Sequence, residues 1–248
     1  MRNKIIDILT DRKNIRENGL IIIDTEKILK DLLESGFKLK YFLHSMDCGK
    51  LTEKYGIKEN IKKVKHSLIN KISGVETNRG FIAVFEMPEY NKLDTGKEKR
   101  LVLFDTIQDP SNAGAIIRSG AAFGFDSYLF LDSVYIFNDK AIRSSAGTCF
   151  VVKYLDVVIG DIKKIKKSGF SIIATDAEKG KDIKQMKNYF NGRFMLVFGN
   201  EGAGIRNEII DMSDERVKID YPNKKVESLN VANAASILFY EINKMTNM

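Results

Sequence analysis

The sequence predicts an α/β protein in two parts, the second built on a mainly parallel sheet. Three observations carry this. Short apolar runs of strand length alternate with helix-period segments along most of the chain. One polar stretch without apolar periodicity, residues 88–100 (PEYNKLDTGKEKR), interrupts that alternation as a connection between two packed cores would. After it, strand-like runs are separated by helical stretches, the pattern of parallel crossovers.

The elements follow in order. Leu20 to Ile23 (LIII) reads as a buried strand. A helix follows, with Thr25 able to cap it, Ile28, Leu29, Leu32 and Leu33 forming one apolar stripe, and Gly36 ending it. KLKYFLH returns as a strand, LTEKYG is helical, IKKVK is a thin strand, SLINKISG follows, and FIAVFE is a strand stopped by Pro88. The boundary falls near Lys97, giving domains of residues 1–96 and 97–248. In the second, strands are expected at LVLFD (Leu101 to Asp105), YLFLD, SIIAT and FMLVFG, with a further apparent strand before Pro222. The last segment, SLNVANAASILFYEINKM, is apolar or small along most of its length and predicts a long, largely buried helix.

Composition excludes several classes. With 248 residues, 44% of them hydrophobic, 18 Gly, 3 Pro and only Cys48 and Cys149, the chain is neither collagenous, disordered nor a disulfide-stapled mini-protein. Charges interrupt the opening MRNKIIDILTDRKN where a signal peptide needs an apolar core, and no run approaches the roughly 18 apolar residues of a membrane span. Two lone cysteines fit a reducing compartment, so a soluble, cytoplasmic protein with no membrane partner is expected. The net charge of +7 is uneven: residues 1–100 carry 21 Lys+Arg against 15 Asp+Glu, the remainder 19 against 18. The first part is therefore the candidate polyanion-facing half.

Three segments of the second part bear on chemistry. In LVLFDTIQDPSNAGAIIRSGAAFGFD a strand and polar loop lead into a helix expected to open near Asn112. Its small residues permit close packing on a sheet, but Arg118 among them needs an anionic or hydrogen-bonding partner if buried. In FMLVFGNEGAGI an apolar strand runs into Gly199-Asn200-Glu201-Gly202-Ala203-Gly204 at the carboxyl end where open α/β sheets bind ligands. A Walker loop is excluded because Ile205 and Arg206 stand where Lys and Ser or Thr are needed. Glu201 would repel a pyrophosphate, so a cationic or neutral ligand fits better. In KIDYPNKKVESLNVANAAS, Ser228 is a good N-cap for the final helix and Asn230 falls in its first turn.

Together, DPSNAGAIIRSGAAFGFD, LVFGNEGAGI and VESLNVANAAS resemble the three ordered motifs of the SpoU/TrmH family of RNA 2'-O-ribose methyltransferases, part of the SPOUT superfamily. KAIRSSAGTCF matches a family stretch between the first two motifs, and the first hundred residues resemble the ribosomal-protein-like RNA-binding domain of many members. The resemblance implies a C-terminal α/β-knot, a deep trefoil departing from the rule that chains do not knot. It implies S-adenosylmethionine as cofactor, held largely by backbone atoms at Gly199, Ile219 and Leu229. Family members usually read Ile-Pro-Met at the turn where this chain reads Ile-Asp-Tyr-Pro. Asn112, Arg118, Glu201, Ser228 and Asn230 are the implied catalytic residues, and Arg143 is a candidate RNA phosphate contact. A guanidinium stays protonated in proteins, so Arg118 is expected to stabilise the developing alkoxide, with Glu201 or Asn112 orienting it. The resemblance further implies a homodimer built on the catalytic domain, and an RNA substrate, with ribosomal RNA favoured and transfer RNA left open. Two alternatives stay open: a non-catalytic RNA-binding protein on the same fold, and a base-directed methyltransferase.

Other constellations are bland. His44, His66 and Cys48 lack the spacing of a metal site, so no metal is expected. No Gly-x-Ser-x-Gly elbow is present. Lys163, Lys164, Lys166 and Lys167 read as the solvated face of a helix whose Ile162 and Ile165 point inward.

Overall fold

A computed structural model describes residues 4–45, 49–75, 78–87, 96–222 and 228–246. Cys48, Pro88 and the first eight residues of the expected connection, 88–95, lie outside them. Two compact units divide between Glu89 and Tyr90.

The first unit runs α1 (Lys4–Leu9), α2 (Arg12–Glu17), β1 (Leu20–Ile23), α3 (Glu26–Glu34), β2 (Leu39–His44), α4 (Gly49–Lys54), β3 (Ile61–Lys63), α5 (His66–Ser73) and β4 (Phe81–Glu86). Its sheet has the order β1-β4-β2-β3, antiparallel except for β2 with β3. Alternation along the strands splits the core. Leu20, Ile22, Leu43, Ile82 and Val84 pack with Ile5 and Leu9 of α1, Ile15 of α2 and Ile69 and Ile72 of α5. Residues of the other parity, Ile21, Ile23, Phe42 and Phe85, are also buried. On α3, Ile28, Leu29 and Leu32 are buried as the stripe predicts. Thr25 holds the N-cap position, but its hydroxyl makes no capping bond. The helices α1 and α2 are additions to the sequence reading; Asp11 caps α2 by accepting from the Lys13 and Asn14 N–H groups at 2.8 and 3.4 Å.

The second unit runs β5 (Arg100–Asp105), α6 (Pro110–Ala122), β6 (Ser127–Leu131), α7 (Asp139–Ser144), β7 (Lys153–Asp156), α8 (Ile159–Lys167), β8 (Ser171–Thr175), β9 (Lys181–Asp182), β10 (Phe194–Gly199), α9 (Asn207–Met212), β11 (Glu215–Lys218) and α10 (Val231–Thr246). The sheet order is β7-β6-β5-β10-β8-β11-β9, and every pairing in it is parallel. All strands therefore end at one edge, with β10, formed late in the chain, between β5 and β8. Leu101, Leu103, Leu129, Leu131, Ile172, Met195 and Val197 form one core with Ile162 and Ile165 of α8 and Ile209 of α9. Of the α8 lysines, Lys163, Lys164 and Lys167 are exposed as expected, whereas Lys166 is half-buried, donating to the Met212 carbonyl and pairing with Asp214 at 2.9 Å.

The small residues of α6 are packing residues. A Cβ on Gly114 would lie 2.1 Å from Ser144 Oγ and 2.4 Å from the Ala141 carbonyl oxygen of α7. One on Gly120 would lie 2.2 Å from the Tyr128 hydroxyl. That hydroxyl donates to the Ile117 carbonyl at 3.1 Å, and burial raises its pKa. The helix opens at Pro110 rather than near Asn112, because Asp109 is the N-cap and accepts from Ser111 N–H at 2.8 Å. Helix α10 buries Ala235, Leu238, Phe239 and Ile242, with the Phe239 ring 4.5 Å from Phe125 and 5.7 Å from Phe198. Among the described residues no helix is long and apolar enough to cross a membrane.

Candidate active site

The loop after β10 is organised by its own backbone. A Cβ at Gly199 would meet Gly204 C and Ile205 N at 2.4 and 2.5 Å, so the close approach that requires glycine here is the loop folding back on itself. Asn200 and Gly204 exchange two backbone hydrogen bonds of 3.0 and 2.9 Å, with Gly204 at φ +72°. The Asn200 side chain completes the turn: Oδ1 accepts from Gly202 and Ala203 N–H at 2.9 and 3.0 Å, and Nδ2 donates to the Thr106 carbonyl at 3.0 Å.

A buried carboxylate anchors the other end of this loop. Asp105, 0% exposed at the end of β5, accepts from Arg206 N–H at 2.8 Å and Arg206 Nε at 2.6 Å. Arg206 also donates to Asp132 at 3.0 Å, so one guanidinium ties the ends of β5 and β6 to the start of α9. Burial works against the Arg206 charge, but bonds to Asp132 and Asp105 outweigh it and hold the guanidinium above its ordinary pKa. Thr106 and Asp132 both adopt positive φ, +58° and +48°, at this rim.

Beside the loop lies a cavity of about 560 Å³, between the ends of β8, β10 and β11 and the start of α10. Gly199, Ile219 and Leu229 all line it, as do Glu201, Ser228 and Asn230. Ile219 falls one residue beyond β11, and Tyr221 lines the same wall. At the rim a chain of polar side chains joins the three sequence segments. Asn112 Nδ2 donates to Glu201 Oε1 at 2.6 Å, and Asn230 Nδ2 donates to Asn112 Oδ1 at 3.1 Å. Asn230 Oδ1 accepts from the Ala232 and Asn233 N–H groups at 2.9 and 3.4 Å. Asn230, not Ser228, therefore caps α10: its amide serves the cap with the oxygen and Asn112 with the nitrogen.

This cavity falls within the size range of ligand pockets and combines apolar walls, backbone groups and carboxylates. It fits a nucleoside carrying a positive charge better than a polyphosphate, since the described lining holds no Lys, Arg or His. Residues 99–240 match the SpoU rRNA Methylase family over more than half of the chain. The chain belongs to that family. Among similar proteins, the 23S rRNA (guanosine(2553)-2'-O)-methyltransferase RlmP of Bacillus subtilis is 31% identical over 173 residues, covering 69% of this chain and 67% of that one. An uncharacterized tRNA/rRNA methyltransferase of Borreliella burgdorferi is 29% identical across 100% of this chain and 95% of its own. The SpoU methyltransferase AviRb of Streptomyces viridochromogenes, solved with its cofactor AdoMet, superposes with a TM-score of 0.81 at 23% identity over 98% of both chains.

Within this SpoU family chain, the remaining expected residues stand apart from the polar chain. Arg118 is exposed, with no hydrogen bond or ion pair among the described residues. Six residues at about 100° each put it roughly 120° around α6 from Asn112. Glu201 and Asn112 bond each other, and neither bonds the Arg118 guanidinium. Arg143 is paired with Asp139 on its own helix at 3.1 Å. Ser228 is exposed at the cavity mouth. Sequence reasoning missed Asn200, Asp105 and Arg206, which shape the loop, and Thr175, Asp176 and Glu178 on the far wall. Asp176 accepts from the Glu178 and Lys179 N–H groups, both at 2.9 Å, and from Arg216 at 3.1 Å. Burial pushes its carboxyl up, but these donors outweigh burial and hold it below its ordinary value. His66 Nδ1 lies 2.8 Å from Ser45 Oγ, and among the described residues no three metal-ligating side chains gather.

Proposed function

We propose that this chain transfers a methyl group from S-adenosylmethionine to a ribose 2'-hydroxyl of structured RNA, ribosomal rather than transfer RNA. Family membership and relatives named as 23S rRNA 2'-O-methyltransferases support this. The observation that carries it is the hydrogen-bonded chain Glu201–Asn112–Asn230 at the mouth of a cavity lined by Gly199, Ile219 and Leu229.

Bound S-adenosylmethionine supplies an electrophilic methyl group on a sulfonium. The protein's task is to align the attacking oxygen with that carbon and to balance charge as the hydroxyl loses its proton. Glu201, Asn112, Ser228 and Asn230 orient the ribose, and the backbone at Gly199, Ile219 and Leu229 holds the cofactor. Arg118, permanently charged, stabilises the alkoxide. On α6 it sits in an exposed or half-exposed stripe with Ser111, Ala115 and Ala122. This placement, with Ile237 and Tyr240 exposed on the adjoining α10, supports a homodimer in which the partner copy brings Arg118 to the reacting oxygen. Residues 1–96 recognise the RNA, with Arg143 as a further phosphate contact.

The test is to incubate total RNA with labelled donor and map the label by nuclease digestion. Labelled ribosomal RNA whose neighbouring phosphodiester resists alkali is expected. Label on a base, or none from a donor-binding protein, would select one of the two alternatives. Arg118→Ala is expected to abolish turnover while leaving donor affinity nearly unchanged.

A further inference from the structure

The described lining of the cavity carries three carboxylates in different states of commitment, two of them on the far wall. Asp176 is balanced by Arg216 and two backbone donors. Glu201 accepts from the neutral Asn112 amide. Glu178 is exposed and has no side-chain hydrogen bond or ion pair among the described residues, while its backbone N–H is fixed by Asp176 at the cavity's edge. The described lining supplies no cation to neutralise it. A turn thus places at the cavity a carboxylate that no described side chain engages.

We propose that Glu178 makes the cavity select its ligand by charge, holding the cationic methyl donor more tightly than the neutral product. The inference rests on the functional reading above. In the transfer, the methyl carbon bonds to the ribose oxygen and the C–S electron pair returns to sulfur, while the hydroxyl proton is released. The sulfonium becomes a thioether, and the bound molecule loses one positive charge without changing its adenosine or amino-acid ends. Backbone contacts at Gly199, Ile219 and Leu229 hold donor and product alike. Attraction to Glu178 is lost with the charge, so this residue lowers the affinity of product relative to donor and speeds exchange between turnovers. The glutamate is a specificity-determining residue, separate from the groups that meet the ribose.

Titration calorimetry on the full chain tests this with three ligands: S-adenosylmethionine, its demethylated thioether, and the analogue carrying a protonated amine in place of the sulfonium. Glu178→Gln is expected to weaken both cationic ligands roughly three- to tenfold, the range of one partly screened charge pair, and to leave the thioether unchanged. In the unaltered protein, added salt is expected to narrow the gap between cationic and neutral ligands. An equal shift for all three ligands, or no shift, would overturn the proposal, provided thermal unfolding shows the variant folded. If the unaltered protein binds none of the three, the functional reading itself falls, and this one with it.

Discussion

Replacing Arg206 by Met isolates the device that fixes the glycine loop. The change keeps the side chain's apolar length but removes the Nε donor to Asp105 and the bond to Asp132. Asp105 is 0% exposed, so its charge gains no water in exchange. Breaking a buried pair from one side costs about 3–5 kcal/mol. The main-chain N–H of residue 206 still donates to Asp105 at 2.8 Å, and the Arg206 side chain is 27% exposed. Both reduce the loss to the lower end, about 3 kcal/mol, or a melting temperature lower by roughly 6–12 °C for a unit of this size. Adding Asp105→Asn to the Arg206→Met variant removes the stranded charge and is expected to restore part of that loss. Thermal unfolding of the two single variants and the double closes the cycle. A loss below about 1 kcal/mol for Arg206→Met, or a double variant no more stable than that single one, would refute the assignment of the cost to an uncompensated buried charge.

Three further outcomes follow from the geometry. Gly199→Ala forces a Cβ to 2.4 Å from Gly204 C and is expected to abolish calorimetric donor binding while circular dichroism shows the sheet intact. The lowered pKa of Asp176 means that its contribution to stability is complete above its ordinary value of 3.8 and is lost as pH falls through the lower folded value. Asp176→Asn should therefore flatten the fall in unfolding temperature below pH about 4 and leave little pH dependence to remove above it. Lys65 and Lys71 of the first unit are exposed at the start and in the last turn of α5; as RNA phosphate contacts, each neutralised to Gln should reduce the slope of log affinity against log salt by about 0.7–0.9, and an unchanged slope would remove them from the interface.

The strands of the second unit were legible because LVLF, YLFL, SIIA and FMLVF are covered on both faces, which leaves continuous apolar runs in the sequence. The short strands β7 and β9 were not, since Lys153–Asp156 and Lys181–Asp182 owe their state to a neighbouring strand's free edge rather than to apolar content. Helices α1 and α2 left a signal that went unused: Ile5 and Leu9 four apart, then Asp11 as cap. At the site, the motifs pointed to Asn112, Glu201 and Asn230, which hydrogen bonds join in one chain. They could not give the Asp105–Arg206 clamp, whose partners are 101 residues apart. Between Ser228 and Asn230, both good capping residues, the choice turns on a tertiary bond to Asn112 that no local pattern records.

The position of β10 has a consequence for how the protein is made. Translation delivers β5 through β9 before Phe194, yet β5 and β8 have no shared ladder until β10 slides between them. A nascent chain halted before that residue would hold the β7-β6-β5 group with a bare inner edge and two lone strands, β8 and β9, whose partner β11 also comes later, an invitation to pair with other chains. The burden of escaping aggregation during synthesis thus falls on the final quarter of the polypeptide, and interruptions there should be the ones that call most heavily on chaperones.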